Sequence, residues 1–141
     1  MTLELHATPE EVMRAVEALQ AFGKTNQVPE KVLFGLALAL EECGSNIVNH
    51  ALGRNPGRKF RVAFEHTAKA VTLELRDPGP EFDPTKAPGD PPGRARAREE
   101  DPPGGWGINL VRQYMDEIHY RRDNGENVLR LTKRLNQKPG T

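Results

Sequence analysis

The apolar positions near the start of the chain first follow the period of a strand and then the period of a helix. Residues 2–7 alternate between apolar and polar side chains, which predicts a short strand. Residues 8–11 carry a helix-start signal, with Thr at the N-cap, Pro at the first helical position and Glu three residues after the cap. The apolar stripe that follows predicts a helix to about Phe22, with Gly23 ending it.

A second apolar stripe predicts a helix that begins near Pro29 and ends near Gly53. Its first part, residues 32–40, is almost wholly apolar, and the next part, residues 41–50, becomes polar along one stripe. Residues 54–57, Arg-Asn-Pro-Gly, predict a turn that ends this helical part of the chain.

Period-two alternation returns in the second half of the chain and predicts two β-hairpins. Asn124-Gly125 is the strongest turn signal, because Asn-Gly supplies the backbone that a two-residue hairpin turn needs. A glycine-rich turn and a third helix are predicted between the two hairpins. The predicted strands are residues 59–66 and 70–77, then 117–123 and 127–135, and the third helix lies within 104–115.

The resulting element order, β-α-α-β-β-loop-α-β-β, lacks the βαβ alternation of a doubly wound parallel sheet. It predicts an α+β fold, a two-layer sandwich in which about three helices cover one face of a mostly antiparallel mixed sheet. With 141 residues, the chain is expected to form a single domain over residues 1–141.

Composition excludes several classes of function. The net charge is zero, from 20 basic and 20 acidic residues, so charge gives no argument for nucleic acid or a membrane as partner. Cys43 is the one cysteine, which excludes a disulfide framework and a thiolate metal cluster. The N-terminal sequence lacks the features of a signal peptide, and the longest apolar run has 9 residues. We therefore expect a cytoplasmic protein.

Glu42, Asn46 and His50 place a carboxylate, an amide and an imidazole four residues apart on the second predicted helix. That spacing stacks the three side chains on one helix face. An ordinary solvated face explains them, since all three residue types are common on surfaces. The alternative is a magnesium–phosphate site, because Mg²⁺ prefers oxygen ligands and keeps several waters, so that one Asn oxygen and substrate phosphates suffice. The carboxylate would then be free to act as a base.

Two glycine-containing segments have both a structural and a functional interpretation. Asp77 ends a strand and Gly79 follows it, so either the segment is a turn or the carboxylate faces an amino group that the glycine lets approach. Gly104, Gly105 and Gly107 open the third helix, where they either form a hinge or expose backbone N–H groups to anions. These glycines fit neither a P-loop nor the dinucleotide fingerprint.

Residues 84–103 contain six of the chain's 12 prolines, together with a charged run at 94–101. Without apolar periodicity, core burial does not offset the entropy of ordering this segment, so we expect a mobile loop. The charged run is either a solubilising surface or part of a lid that brings an Arg onto phosphates, as closing loops do in phosphoryl-transfer enzymes.

The order of these features resembles that of the GHKL-type ATP-binding domains of gyrase, Hsp90, histidine kinases and MutL, and specifically the small RsbW-type anti-sigma-factor serine kinases. EECGSNIVNHA (41–51) resembles their N-box, and DPGPEFDP (77–84) resembles the G1 box. GGWGINLVRQYMDEIHY (104–120) with NGENVLRLTK (124–133) resembles the G2 box and the strands after it. The resemblance covers residues from about 3 to 135.

This resemblance implies roles for four matching residues. Asn46 matches the residue that holds Mg²⁺ on the ATP phosphates, and Glu42 matches the presumed general base. Asp77 matches the residue that bonds the adenine amino group, and Gly79 matches the glycine that lets the adenine ring approach.

The resemblance also implies cofactor-binding positions in the second half of the site. The phosphate-cradling glycines of the G2 box are matched best by Gly105 and Gly107, with Gly104 beside them. His50 and Asn127 occupy positions that lie near phosphate or adenine in relatives. The segment at 84–103 corresponds to the ATP lid, and it is longer and richer in proline than in short relatives.

The implied function is an ATP- and Mg²⁺-dependent protein-serine/threonine kinase. It would phosphorylate a STAS-type anti-anti-sigma partner, sequester a sigma factor and form a homodimer, without binding nucleic acid or a membrane. One alternative is a non-catalytic ATP-binding regulator that switches partners by lid closure; the presence of Glu42 favours the kinase. Another is a kinase whose target belongs to a different switch pathway, with no sigma factor.

Overall fold

The computed structural model describes residues 1–86 and 108–135. In this part of the chain the elements follow the order that the sequence predicts. They are β1 (Thr2–His6), α1 (Pro9–Thr25), α2 (Glu30–Asn46), a π-helical turn (Ile47–Ala51), β2 (Lys59–His66), β3 (Ala70–Asp77), α3 (Asn109–Tyr114), β4 (Glu117–Asp123) and β5 (Glu126–Arg134).

The five strands form one sheet in the order β1-β2-β3-β5-β4. All four pairings are antiparallel, and both predicted hairpins, β2–β3 and β4–β5, are present. The second hairpin turns at Asn124 and Gly125, whose φ angles of 50° and 78° are those that an Asn-Gly turn supplies. The predicted α+β fold is confirmed.

The core lies between the helices and one face of the sheet. Side chains alternate along β3, so that Val71, Leu73, Leu75 and Asp77 are buried while the residues between them are partly exposed. Asp77 is thus the last inward-facing position of its strand. Since β3 pairs with β5, Asp77 lies directly opposite Asn127, and the sheet brings together two polar residues 50 positions apart.

The other face of the sheet is covered by its own ion pairs. Arg76 contacts Glu74 at 3.1 Å and Asp123 at 3.4 Å, and Arg130 contacts Glu74 at 3.3 Å. Val128 is fully buried on this face. Partly exposed ion pairs of this kind contribute little stability one by one, but they pair the charges of the central strands.

The first helix runs past the predicted end. Gly23 lies inside α1, which continues to Thr25, so the expected stop at Gly23 is wrong. A Cβ on Gly23 would lie 2.6 Å from Leu33 Cδ1, which shows that the glycine permits close packing of α1 on α2. The helix start is confirmed, with Thr8 Oγ1 accepting from the Glu11 N–H at 3.2 Å.

The second helical segment extends over nearly the predicted length but changes its winding. Regular α-helix ends at Asn46, and the Leu52 N–H donates to the Ile47 carbonyl five residues earlier at 2.9 Å. Gly53, with φ of 60°, ends the segment as predicted. The wider turn interrupts the regular four-residue stripe between Asn46 and His50.

Several predicted features fall outside the described residues. Most of the expected lid, residues 87–103, and the predicted phosphate-binding glycines Gly104, Gly105 and Gly107 belong to this part of the chain. Within 1–86 and 108–135, no helix combines the length and the apolar character that crossing a membrane requires.

Candidate functional site

A cavity of about 390 Å³ lies between the end of the second helical segment and the ends of β3 and β5. This volume is in the range of small-molecule sites. Its apolar wall comes largely from core residues and its polar groups come from several elements. The apolar residues include Ile47, Ala51, Leu75, Ile108 and Leu129, and the polar ones include Asn46, His50, Asp77, Glu81, Tyr120 and Asn127.

Asn46 supplies the least satisfied atom of this cavity. Its side-chain Oδ1 is buried and accepts no hydrogen bond from any residue in the described part of the chain. A buried carbonyl oxygen without a donor is costly, and a bound cation would satisfy it. The amide oxygen therefore fits a magnesium ligand. In the same described residues no cluster of His, Cys, Asp or Glu could hold a metal by itself, so substrate oxygens would have to complete the coordination.

Glu42 and His50 occupy different positions relative to the cavity. His50 is exposed and lines the cavity from the π-helical turn, whereas Glu42 is half-buried and is not part of the lining. Of the three predicted residues, Asn46 and His50 line the cavity, whereas Glu42 lies one regular turn before Asn46 within α2 and outside the lining. Burial raises the pKa of the Glu42 carboxyl, and the negative charge of Glu41 adds to this effect.

Asp77 closes the other side of the cavity and is only 5% exposed. Its Oδ1 accepts from the Gly79 N–H at 2.8 Å and from Asn127 Nδ2 at 3.1 Å. Burial raises the pKa of the Asp77 carboxyl, although these two donors and nearby Arg122 oppose the shift. All donors to Asp77 that the described residues provide use Oδ1. The turn and the binding interpretations are therefore compatible, because Oδ1 forms the turn and Oδ2 is left for a ligand.

Gly79 contacts the protein backbone and does not line the cavity. A Cβ at this position would lie 2.8 Å from Ala51 Cβ and 2.9 Å from the Ala51 carbonyl oxygen. The segment after β3 therefore approaches the π-helical turn more closely than it could with any residue other than glycine at position 79. Arg122 Nη1 also holds this segment by donating to the Gly79 carbonyl at 2.8 Å.

The structure adds site residues that the sequence analysis did not name. Pro80, Phe82 and Tyr120 line the cavity. Tyr120 was within reach of the sequence, because the two-residue turn fixes the register of the second hairpin and places this side chain on the inner face near Asn127. Nothing in the pattern of residues 80–82 indicates their position, since it depends on how the segment folds back over the pocket.

The arrangement suits a ligand with one apolar, amine-bearing end and one anionic end. A flat ring would contact the aliphatic walls and donate from its amino group to Asp77. Phosphates and a cation would lie near Asn46, and the half-buried carboxylate of Glu42 lies one helical turn before it.

Comparison with known proteins agrees with this geometry. The chain matches the histidine kinase-like ATPase domain family over residues 5–133. It is 32% identical over 131 residues to the serine/threonine-protein kinase BtrW of Bordetella bronchiseptica, covering 93% of this chain and 91% of that protein.

A solved structure shares the fold. It contains the RsbU and RsbW domains of a Mycobacterium tuberculosis protein and aligns with a TM-score of 0.61 at 16% identity. The alignment covers 96% of this chain and 32% of the matched chain, so the chain corresponds to about a third of that protein. The family match spans most of the chain, and the identity to BtrW spans nearly all of it; the chain belongs to the histidine kinase-like ATPase domain family.

Proposed function

We propose that this protein is an ATP-dependent protein-serine/threonine kinase of the anti-sigma-factor type. The observation that carries the proposal is one cavity with a buried carboxylate, Asp77, on one side and an unpaired buried amide oxygen, Asn46 Oδ1, on the other. Adenine needs an acceptor for its amino group, such as the Asp77 carboxylate, and a magnesium–phosphate group needs an oxygen ligand for the metal, such as Asn46 Oδ1. The kinase BtrW, similar over nearly the whole chain, supports the type of reaction.

The base end of the pocket is assigned to Asp77. Its free oxygen would accept a hydrogen bond from the exocyclic amine of adenine, and the lining residues Leu75, Ile47 and Leu129 would contact the ring faces. Gly79 lets the segment after β3 pack against Ala51. This packing would position Pro80, which lines the pocket.

The phosphate end is assigned to Asn46 and His50. Asn46 Oδ1 would hold Mg²⁺ together with ATP oxygens, and the metal when bound would neutralise charge on the transferred phosphoryl group. His50 lines the cavity from an exposed position, where it can donate to a phosphate oxygen. Gly104, Gly105 and Gly107 complete this end of the site in the proposal.

Glu42 is assigned as the general base. Its carboxylate would accept the proton of a Ser or Thr hydroxyl as that hydroxyl attacks the γ-phosphate. Partial burial makes the carboxylate a better proton acceptor, since it raises the pKa above the ordinary value. A non-catalytic regulator needs no general base, so the presence of Glu42 one helical turn before Asn46 favours a kinase.

For partners, we propose a STAS-type anti-anti-sigma protein as the phosphorylated substrate and a sigma factor as the sequestered protein, with the kinase acting as a cytoplasmic homodimer. The support is the motif resemblance to RsbW-type anti-sigma-factor kinases, the similarity to the kinase BtrW, and the fold shared with a solved structure that contains an RsbW domain.

The direct test is transfer of label from [γ-³²P]ATP with Mg²⁺ to a STAS protein encoded beside this gene. Wild-type protein should label a Ser or Thr of the substrate, and Glu42→Gln should bind ATP with unchanged affinity but transfer label at least about 100-fold more slowly. A wild-type protein that binds ATP tightly and transfers no label to any such partner would refute the kinase assignment and leave the ATP-binding regulator.

A further inference from the structure

A hydrogen-bonded chain of three side chains runs through the floor of the cavity. The Tyr120 hydroxyl donates to Asn127 Oδ1 at 2.5 Å, and Asn127 Nδ2 donates to Asp77 Oδ1 at 3.1 Å. The sheet sets this arrangement, because Asn127 lies opposite Asp77 across β3–β5 and Tyr120 lies diagonally across β4–β5. Neither Tyr120 nor its link to Asp77 is required by the assignments above.

Asn127 uses its full hydrogen-bonding capacity inside the protein. A side-chain amide has two N–H donors and two acceptor lone pairs. Besides Asp77, its Nδ2 donates to the Pro80 carbonyl at 2.8 Å, and besides Tyr120, its Oδ1 accepts from the Phe82 N–H at 3.1 Å. Rotating the amide by half a turn would place Nδ2 against the Phe82 N–H donor and Oδ1 against the Asp77 and Pro80 acceptors. The amide is therefore fixed in one orientation, and it is only 6% exposed.

This geometry indicates that Asn127 acts on a bound base through Asp77 rather than by contacting it. By occupying Oδ1, Asn127 and the Gly79 N–H orient the carboxylate so that Oδ2 remains for the ligand. By holding Pro80 and Phe82, Asn127 also fixes two residues of the pocket wall. Tyr120 completes the arrangement because, among the residues the structure describes, its hydroxyl and the Phe82 N–H are the two donors to Asn127 Oδ1.

We propose that Tyr120 and Asn127 are positioning residues of the nucleotide pocket: the Tyr120 hydroxyl locks the Asn127 amide, which in turn holds the Asp77 carboxylate ready for the base. This proposal rests on the assignment of the cavity to ATP. It makes Tyr120 a determinant of nucleotide affinity, and it leaves the rate of phosphoryl transfer from bound ATP to other residues.

Two tyrosine variants test the first link. Tyr120→Phe keeps the ring in the cavity wall and removes only the hydroxyl. Tyr114→Phe is the matched control, because Tyr114 packs on Phe34 with ring centroids 6.2 Å apart and does not line the cavity. We expect Tyr120→Phe to raise the ATP Kd and KM about three- to tenfold, the range for one hydrogen bond, with kcat within about twofold of wild type. Tyr114→Phe should leave all three unchanged.

A pH series separates positioning from general damage to the fold. The hydrogen bond from Asn127 lowers the pKa of Asp77, so weakening this hydrogen bond raises that pKa. As the pH is lowered, Tyr120→Phe should therefore lose ATP binding at a higher pH than wild type does. Asn127→Asp should reverse the trend: its carboxylate opposes Asp77 at neutral pH, and one shared proton restores binding as the pH falls. Other charged or titratable groups around Asp77 or in the described cavity lining are Arg122, Glu126, Cys43, His50, Glu81 and Tyr120.

The outcomes distinguish the assignment of the cavity to ATP from the positioning role of Tyr120 and Asn127. If wild type binds no ATP, the assignment of the cavity fails, and the positioning proposal fails with it. If wild type binds ATP and Tyr120→Phe binds it within twofold as tightly, the positioning proposal is overturned and the kinase assignment stands. Equal weakening by Tyr120→Phe and Tyr114→Phe also overturns it. Circular dichroism and thermal unfolding of each variant confirm that the folded protein is being compared.

Discussion

At the residue scale, Asn46 has a buried side-chain oxygen that is unfavourable for the free protein and that we propose as a ligand of Mg²⁺. The buried Oδ1 forms no hydrogen bond with residues 1–86 or 108–135, so its burial cost is not repaid by those residues. Removing it should therefore leave the stability of the ligand-free protein unchanged or slightly increased. The same oxygen is expected to be a ligand of Mg²⁺, so its loss should appear when the metal and ATP are added.

The corresponding prediction concerns the metal dependence of ATP binding. In wild type, Mg²⁺ should increase ATP affinity, and in Asn46→Ala this increase should be lost. Isothermal titration calorimetry with and without Mg²⁺ measures the difference. Asn49→Ala is the matched control, because Asn49 accepts from Arg54 Nε at 2.7 Å and does not line the cavity. An undiminished effect of Mg²⁺ in Asn46→Ala would remove Asn46 from the metal site.

For Glu42 the prediction concerns pH. Because burial raises its pKa above 4.5, the folded state binds the proton more tightly than the unfolded state does. Ionised Glu42 thus disfavours folding above the raised pKa, and this cost disappears as the pH falls through it. We expect Glu42→Gln to be at least as stable as wild type at pH 8 and to lose that advantage at low pH, as measured by urea unfolding at several pH values.

If Glu42 is the general base, as proposed, the same shift in its pKa sets the pH dependence of phosphoryl transfer. The base form of Glu42 is lost as the pH falls, so the acid limb of wild-type kcat should lie above the ordinary glutamate pKa of 4.5. In Glu42→Gln the residual rate should lack this limb. A residual rate that keeps the wild-type acid limb would assign the titration to another group.

At the scale of elements, the site depends on the contact between the π-helical turn and the segment after β3. Gly79 makes that contact possible, since a Cβ there would lie 2.8 Å from Ala51 Cβ and 2.9 Å from its carbonyl oxygen. The carbonyl belongs to the backbone, so relief requires the whole segment to move. Asp77 and Pro80, on either side of Gly79, would move with it.

We therefore expect Gly79→Ala to lower the free energy of unfolding by about 1–3 kcal/mol, the usual cost of overpacking, and to weaken ATP binding. Gly57→Ala is a suitable control, because a Cβ there would meet one exposed side-chain atom, Asn55 Oδ1, at 3.2 Å. Urea unfolding and ATP titration measure the two effects. A Gly79→Ala protein with wild-type stability would show that the segment relaxes freely and does not depend on this contact.

Local patterns predicted the elements well where one physical rule governs them. Alternation gave β2 and β3 at their observed bounds, and the Asn124-Gly125 turn fixed the second hairpin. The prediction that glycine ends the first helix failed at Gly23, where packing on Leu33 outweighs the low helix preference of glycine. It also missed the π-helical turn, because the winding after Asn46 depends on tertiary packing that no residue spacing encodes.

At the scale of the whole molecule, the site is where the two layers of the sandwich separate. Asp77 and Asn127 are the two buried polar residues among the side chains described, and both lie at the end of the sheet beside the cavity. The sequence predicted Asp77 as a site residue. The hydrogen bond from Asn127 to Asp77 could not be predicted in the same way, because it depends on the pairing of β3 with β5, which are distant in the sequence. The order of the motifs, and the family it resembles, anticipated the pocket better than any motif alone.

Because the cavity lies between the layers, ligand binding should stabilise the fold as a whole. At an ATP concentration 100 times Kd, with Mg²⁺, we expect about 2.7 kcal/mol of stabilisation and a rise in Tm of about 5–10 °C. Asp77→Asn should abolish most of this rise, since it replaces the free acceptor oxygen with an amide donor while retaining the size of the side chain. Glu42→Gln should keep the full rise, because Glu42 is assigned to proton transfer and not to binding.

The ligand-free proteins provide the control for this comparison. Burial raises the pKa of Asp77, so its ionised form disfavours folding at neutral pH, and the cost falls as the pH drops through the raised pKa. Asp77→Asn without ATP should therefore be no less stable than wild type at pH 7. If Asp77→Asn unfolds earlier than wild type without ATP yet keeps the full ATP-induced rise in Tm, Asp77 supports the fold and another group must accept the adenine amine.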